Sequence, residues 1–318
     1  MENQVRTSTL KVVEKARDAK INRERVKELA QKWVKEKIVV PPWPKEFHLQ
    51  TKSRQAMLDY LIILDAINFC FWNKNKIWTF NYNGKKYYGY FGLSLALKKF
   101  FEENPEKGSL NYFADIPFGD FLKILNGGKN LQFLRKRWQI ARQVSKKIIK
   151  KYGESEKFIL SVHHKLSELV LKISKELFSF DDIAHYKGRK VYILKRAQIL
   201  PADIWGAFGG KGIGYFEDLD YLTAFADYKL PQILQFWGIL EYSPRLLKKI
   251  KDRIIIAKGS KEEIEIRSST IWAVEYLKEE LGELGRNIFP FQVDWILWNR
   301  SQEQKILTPH HLTKTFYY

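Results

Sequence analysis

The sequence predicts a mainly α-helical protein with one small β-hairpin, on three observations. Apolar residues recur at intervals of three and four over most of the chain, the spacing of a buried helix face. A single Asn-Gly pair is flanked by alternating residues, the signature of a tight hairpin. With 318 residues and 45% hydrophobic content, the chain can bury a substantial core. One compact unit over residues 1–318, or two tightly fused helical subdomains, fits that length.

From the start, Val12, Val13 and Ala16, then Val26, Leu29, Ala30, Trp33 and Val34, sit among charges, so Leu10 to Lys37 reads as two amphipathic helices. Pro41-Pro42-Trp43-Pro44 halts regular structure, because proline lacks an amide hydrogen and restricts the residue before it. Helical periodicity returns from Arg54 to Phe71. Ile77 to Tyr82 and Lys85 to Tyr90 alternate about Asn83-Gly84 and form the hairpin. Leu93 to Phe101, Phe118 to Leu125, Leu131 to Tyr152 and Lys157 to Phe178 read as helices, with Asn126-Gly127-Gly128 as a break. Ala202 to Phe208, Tyr221 to Leu240 and Pro244 to Lys251 continue the pattern, and Gly282 to Gly285 marks a break before Val293 to Asn299. The glycine run Gly209-Gly210-Lys211-Gly212-Ile213-Gly214 lacks the spacing of a Walker loop and reads as a turn.

Lys and Arg number 55 against 36 Asp and Glu, a formal charge of +19 that favours an anionic partner without naming it. The single cysteine, Cys70, allows no intrachain disulfide and fits a reducing compartment. No stretch approaches the roughly 20 apolar residues that span a bilayer, and the first residues lack a signal pattern. A cytoplasmic protein without membrane contact is the expectation; oligomeric state is not legible.

His163-His164 and His310-His311 are adjacent pairs, and neighbours on a helix point about 100° apart, so they rarely chelate one ion. No cysteine or His-Glu spacing completes a zinc set, so no metal is expected. A serine elbow is absent, and Cys70 in its apolar run is a poor nucleophile because burial raises a thiol's pKa. Carboxylates and cations in aromatic surroundings remain. Lys195-Arg196-Ala197-Gln198-Ile199-Leu200-Pro201-Ala202-Asp203-Ile204-Trp205 and Phe225-Ala226-Asp227-Tyr228-Lys229-Leu230-Pro231-Gln232 both place charge in apolar sequence, which is costly unless paired. They form either a buried ion pair between segments or a phosphate site beside a catalytic acid.

These two strings, with Asp65-Ala66-Ile67-Asn68-Phe69-Cys70-Phe71-Trp72, Gly84 to Tyr90, Glu265-Ile266-Arg267, Asp294-Trp295-Ile296-Leu297-Trp298 and Tyr317-Tyr318, resemble the queuosine salvage protein family, the queuosine 5'-phosphate N-glycosylase/hydrolases, in order and spacing over nearly the whole chain. The resemblance implies a helical fold related to helix-hairpin-helix DNA glycosylases and hydrolysis of queuosine 5'-monophosphate to free queuine for reinsertion into transfer RNA. It also implies no cofactor, and a small-molecule nucleotide as partner in place of a stable nucleic-acid complex. Lys229 stands where family members carry arginine, and the surroundings of the glycine run differ in composition.

Within that reading Asp227 is the expected catalytic carboxylate. Breaking a glycosidic bond builds positive charge on the ribose, which a fixed carboxylate stabilises while it orients or deprotonates water. A helix cap or salt bridge is its structural alternative. Lys195 and Arg196 are expected on the phosphate, with Lys229 beside Asp227. Asp203 either orients the base or partners a cation structurally. A 7-deazaguanine lacks the nitrogen that a glycosylase would protonate, so recognition falls on its N1 and exocyclic amine edge, which Asp294 suits. Glu265 or Asp65 could meet the amine of the cyclopentenediol arm, and Phe225 and Phe69 are the expected stacking faces. A glycosylase acting on DNA or transfer RNA and a non-catalytic queuine-binding protein are the alternatives.

Overall fold

The computed structural model describes residues 2–74 and 76–318; Met1 and Asn75 lie outside the described residues. Helices dominate, and among the described residues the strands form three two-stranded antiparallel pairs. In chain order the first elements are α1 (Gln4–Val13), β1 (Ala19–Ile21), α2 (Arg23–Lys35), α3 (Arg54–Ala66), β2 (Thr79–Tyr82), β3 (Lys85–Tyr88) and α4 (Gly89–Glu103). Then come α5 (Leu110–Asp115), α6 (Phe118–Ile124), α7 (Leu134–Tyr152), α8 (Ser155–Leu160), α9 (Leu166–Glu176), β4 (Ile183–Tyr186) and β5 (Arg189–Tyr192). The last are α10 (Lys195–Ala207), α11 (Leu230–Phe236), β6 (Leu240–Tyr242), α12 (Pro244–Lys251), α13 (Lys261–Glu283) and α14 (Pro290–Glu303).

Local chemistry sets many of these boundaries. The side chains of Asn22, Ser53, Ser243 and Ser260 each accept a backbone N–H in the first turn of the helix they precede. Proline opens α12 and α14, where its missing N–H costs nothing. The β2–β3 turn places Asn83 and Gly84 at φ 47° and 76°, the left-handed pair that a two-residue hairpin requires. One core packs around α3, α4, α7, α9 and α10, and a second packs α2, α11 and α14 against α13.

Four sequence expectations are corrected. The first helix starts at Gln4, and Ala19–Ile21 forms a strand paired with β6. Lys157 to Phe178 divides into α8 and α9 at His163 and His164, both with positive φ. α3 stops at Ala66, so Cys70 lies outside any helix, at φ 46°, and its N–H donates to the Tyr318 carbonyl at 2.9 Å. Tyr221 to Leu240 is helical only over Leu230–Phe236, apart from one short turn at its start.

The two segments that leave helix early are buried, so their polar backbone groups need other partners. Three arginines and two further polar side chains supply them. The Arg137 guanidinium donates to the carbonyls of Ile67, Phe69 and Cys70, and Arg196 donates to those of Asp65, Ala66, Ser179 and Phe316. Phe69 lies against both guanidiniums, 4.2 Å from Arg137 and 5.0 Å from Arg196. In the second segment, Thr223 N–H donates to Gln198 Oε1 at 2.9 Å and Phe225 N–H to Asp294 Oδ2 at 2.7 Å. The Ala226 carbonyl accepts from Arg267 Nε at 3.0 Å.

Replacing Arg196 by methionine should therefore lower unfolding free energy by on the order of 3 kcal/mol or more, because several buried carbonyls lose their donor. Chemical denaturation of the variant measures this. A loss below about 1 kcal/mol, the net worth of one ordinary hydrogen bond, would show that the guanidinium does not hold the segment.

Candidate active site

The two irregular segments, α10, α14 and the Pro41–Pro44 turn enclose a cavity of about 440 Å³, a volume suited to a small-molecule ligand. α10 contributes Lys195, Ile199 and Asp203, spaced by four so that they share one face. α14 contributes Asp294 and Trp298 by the same spacing. Phe225, Asp227 and Lys229 enter from the segment that precedes α11.

Asp227 is 8% exposed and lines the cavity. Its Oδ1 accepts from the backbone N–H of Lys229 at 2.7 Å and of Leu230 at 2.9 Å, at the start of α11. One side chain thus both closes the turn into α11, whose N-cap is Lys229, and lines the cavity. Among the described residues nothing donates to Oδ2, which leaves that oxygen to a ligand.

Lys195 is buried in the same cavity, and among the described residues its ammonium has no hydrogen bond or ion pair. Burial pulls it below the usual lysine range; Arg196 and Arg267 act the same way, and Asp227 and Asp294 oppose. Asp294 is pushed up to about 8 by burial and by Asp227, against the Phe225 N–H and Lys195. It therefore carries a proton through much of the neutral range.

Asp203 is raised to about 7 by burial, against the Trp43 and Tyr90 hydrogen bonds and Lys195. Trp43 Nε1–H donates to its Oδ1 at 3.3 Å, and the Tyr90 hydroxyl lies 3.2 Å from its Oδ2. That hydroxyl is 3.3 Å from His48 Nε2, and His48 Nδ1 is 3.1 Å from the Tyr60 hydroxyl, which donates to the Ser94 carbonyl at 3.2 Å. Burial and Lys98 hold His48 down to about 3, so the imidazole is neutral, with one donor and one acceptor. Tyr60 gives its proton to Ser94 and Tyr90 gives its proton to Asp203, so Asp203, Tyr90, His48 and Tyr60 form one buried polar chain.

Lys229, Arg253 and His310 line the less buried end of the cavity. Lys229 Nζ donates to Gln232 Oε1 at 2.9 Å. The His310 ring lies 4.5 Å from that of Tyr228.

Four residues expected at the site are elsewhere. Arg196 does not line the cavity, because its guanidinium serves four carbonyls behind it. Phe69 is 1% exposed and its ring packs on two guanidiniums, so neither face is open to a base. Glu265 accepts from the backbone N–H of Arg17 and Asp18 and from the Tyr186 hydroxyl, at 2.8, 2.6 and 2.6 Å, and fixes the approach to β1. Asp65 is fully buried behind the cavity, and burial and Asp203 push its carboxyl well above the usual range. Asp227, Lys195, Lys229, Asp203, Asp294 and Phe225 are brought together.

Trp43, Tyr90, Arg253 and His310 join the site although the sequence does not single them out for it. Trp43 stands in a segment that reads only as a proline-stopped turn, and Tyr90 closes a hairpin. The His310-His311 pair invites only a metal reading, and Arg253 follows α12 with no pattern around it.

A Sphaerobacter thermophilus protein named queuosine 5'-phosphate N-glycosylase/hydrolase is 37% identical over 99% of this chain and 97% of its own length. Proteins of the same name from Dictyostelium discoideum and Mus musculus are 34% and 30% identical, over 81% and 98% of this chain and 77% and 98% of their own lengths. Since the family model described as queuosine salvage protein also matches residues 47–318, the chain belongs to the queuosine salvage protein family.

Proposed function

We propose that the cavity hydrolyses the N-glycosidic bond of queuosine 5'-phosphate and releases queuine, with Asp227 as the catalytic carboxylate. The names of the relatives support the substrate. One observation supports the residue: Asp227 has one oxygen pinned by two backbone amides and the other unmatched in a cavity it shares with Lys195.

As the bond between the anomeric carbon and the base nitrogen breaks, the electron pair leaves with the base and the ribose becomes cationic. A carboxylate held rigidly beside that carbon stabilises the charge without having to reorganise. Its free oxygen orients the water that adds to the carbon and accepts the proton that water gives up, and the departing base takes up one proton to leave as neutral queuine. The departing deazaguanine gathers negative charge, since it offers no ring nitrogen at the usual protonation point. Lys195, near Asp203, Asp227 and Asp294 and without a direct partner among the described residues, is placed to offset that charge. The Asp227 charge that acts on Lys195 would repel a phosphate placed beside that ammonium, so we assign Lys195 to the base and sugar in place of the phosphate.

Asp294 is proposed to take the N1–H and exocyclic amine edge of the base, with Phe225 as a stacking face. Two donors favour its ionised form. Its proton, held up to about 8 without them, is then released on binding.

Asp227→Asn keeps a carbonyl oxygen for the Lys229 and Leu230 amides, so the fold should persist while turnover falls by on the order of a hundredfold or more and nucleotide binding changes little. Steady-state kinetics with queuosine 5'-phosphate decides this, and full activity would exclude Asp227. Queuine should bind with proton release near pH 7, and its affinity should rise from pH 6 to pH 8 and level off above the Asp294 value of about 8. Calorimetry in buffers of different ionisation enthalpy reads the proton directly. Release that is unchanged in Asp294→Asn would assign it to another group.

A further inference from the structure

We propose that α1 and the β4–β5 hairpin hold a second ligand site, for a small anion that carries two or more phosphoryl groups in series. The site shares no residue with the active-site cavity, and its occupancy does not depend on the reaction proposed there.

Between α1 and the hairpin lies a cavity of about 280 Å³, just below the roughly 300–1,000 Å³ of sites for drug-sized ligands. α1 and the turn that ends it present Gln4, Ser8, Lys11 and Lys15, spaced by three and four along one helix face. The hairpin presents Lys187, Arg189 and Lys190. Its turn residues Lys187 and Gly188 have φ 49° and 79°, a left-handed pair that reverses the chain within two residues. The Lys187 ammonium donates to the Lys15 carbonyl at 3.3 Å. Tyr192 N–H donates to Ser8 Oγ at 2.9 Å, and that hydroxyl donates to the Gln4 carbonyl at 2.6 Å. The two walls are thus tied at two points, and the fold builds the space between them.

Five exposed cations line this space, Lys11, Lys15, Lys187, Arg189 and Lys190. One carboxylate does so, Glu2, which accepts from the Thr7 hydroxyl at 3.0 Å. Among the described residues none of the five cations has an ion pair. The negative end of a helix attracts cations and accounts for those at the close of α1, but not for three more on the facing hairpin. Like charges gathered on two facing walls repel unless an anion sits between them.

The charge balance selects the anion. Five cations less one carboxylate leave a surplus of four positive charges. A single phosphoryl group carries at most about two negative charges near neutrality and matches half of that surplus. Two or three linked phosphoryl groups match more of it. Arg189 offers a planar fork to two phosphoryl oxygens, and the lysines act as point charges. A nucleic-acid strand needs an open groove along which its backbone can run, whereas the bonds at Lys187 and Tyr192 bridge the two walls of this one.

Calorimetry with inorganic pyrophosphate at about 150 mM salt tests the site, since that ionic strength screens attraction between exposed charges beyond about 8 Å. Affinity should fall about tenfold or more when Lys11→Ala and Arg189→Ala are combined. It should stay at the wild-type value when Lys147→Ala and Lys150→Ala are combined, which removes two exposed charges from α7 instead. All four side chains are exposed, and thermal unfolding of both double variants checks that the fold persists. Equal losses in the two double variants would reduce the effect to net charge and overturn the site, as would wild-type affinity in the first. Inorganic phosphate should bind about tenfold more weakly than pyrophosphate; equal affinity would overturn the call for linked phosphoryl groups. A single-stranded oligoribonucleotide that binds through Lys11 and Arg189 where pyrophosphate does not would overturn the small-anion assignment in favour of a nucleic-acid face.

Discussion

Two buried guanidiniums that have no carboxylate partner among the described residues hold the backbone on which the cavity is built. Arg137 and Arg196 together collect the carbonyls of Asp65, Ala66, Ile67, Phe69 and Cys70 at the end of α3. Water is excluded from this stretch, so its carbonyls would otherwise be orphaned at a cost of about 1–3 kcal/mol each. Burial lowers both arginines, to about 9 and about 10, yet both remain cationic at neutral pH. Asn68, Cys70, Phe71 and Trp72 reach the cavity wall because the chain leaves helix here. Arg196 also ties this stretch to the Phe316 carbonyl, and Cys70 to Tyr318, so distant parts of the chain meet behind one wall.

A second arginine junction sets the opposite wall. Arg267 pairs bidentately with Asp182 at 3.0 and 2.6 Å, donates to the Ala226 carbonyl, and stacks 4.0 Å over Tyr318. The Asp182 and Glu263 charges outweigh burial and keep its pKa above the ordinary arginine value. Ala226 is thereby fixed from one side while the Asp294 carboxyl fixes Phe225 from the other. Asp227, next in the chain, has its own oxygen tied to α11. Rigidity of this kind lets a carboxylate act on a developing charge without first moving.

What the sequence discloses follows from how far each pattern depends on distant partners. The β2–β3 hairpin, α12 and the α14 region are legible because turn residues, caps and local periodicity specify them. α13, the longest helix, has its Ser260 cap but no apolar stripe: Glu262, Glu263, Glu265, Arg267, Ser268 and Ser269 are buried in it, so polar residues face inward and erase the periodicity. Asp227, Lys195, Asp203 and Asp294 stand out as charges in apolar sequence, a signal that survives in one dimension. That same signal misleads for Arg196 and Glu265, since a buried charge answering to backbone groups looks identical to one awaiting a ligand. The family resemblance does not separate them either, because the strings that carry it hold the wall as well as the site.

The loss of regular helix between Tyr221 and Lys229 has a chemical consequence, because helix resumes only over Leu230–Phe236. On a helix, Phe225 and Asp227 would point about 200° apart and could not share one small cavity. With the backbone released from helix, both line it together with Lys229. An apolar face, then an acid, then a cation follow one another along this cavity-lining stretch. The release is possible only because Gln198, Asp294 and Arg267 satisfy the backbone groups that a helix would have satisfied internally. Side chains fixed on the backbone from behind therefore determine which residues can meet a ligand in front.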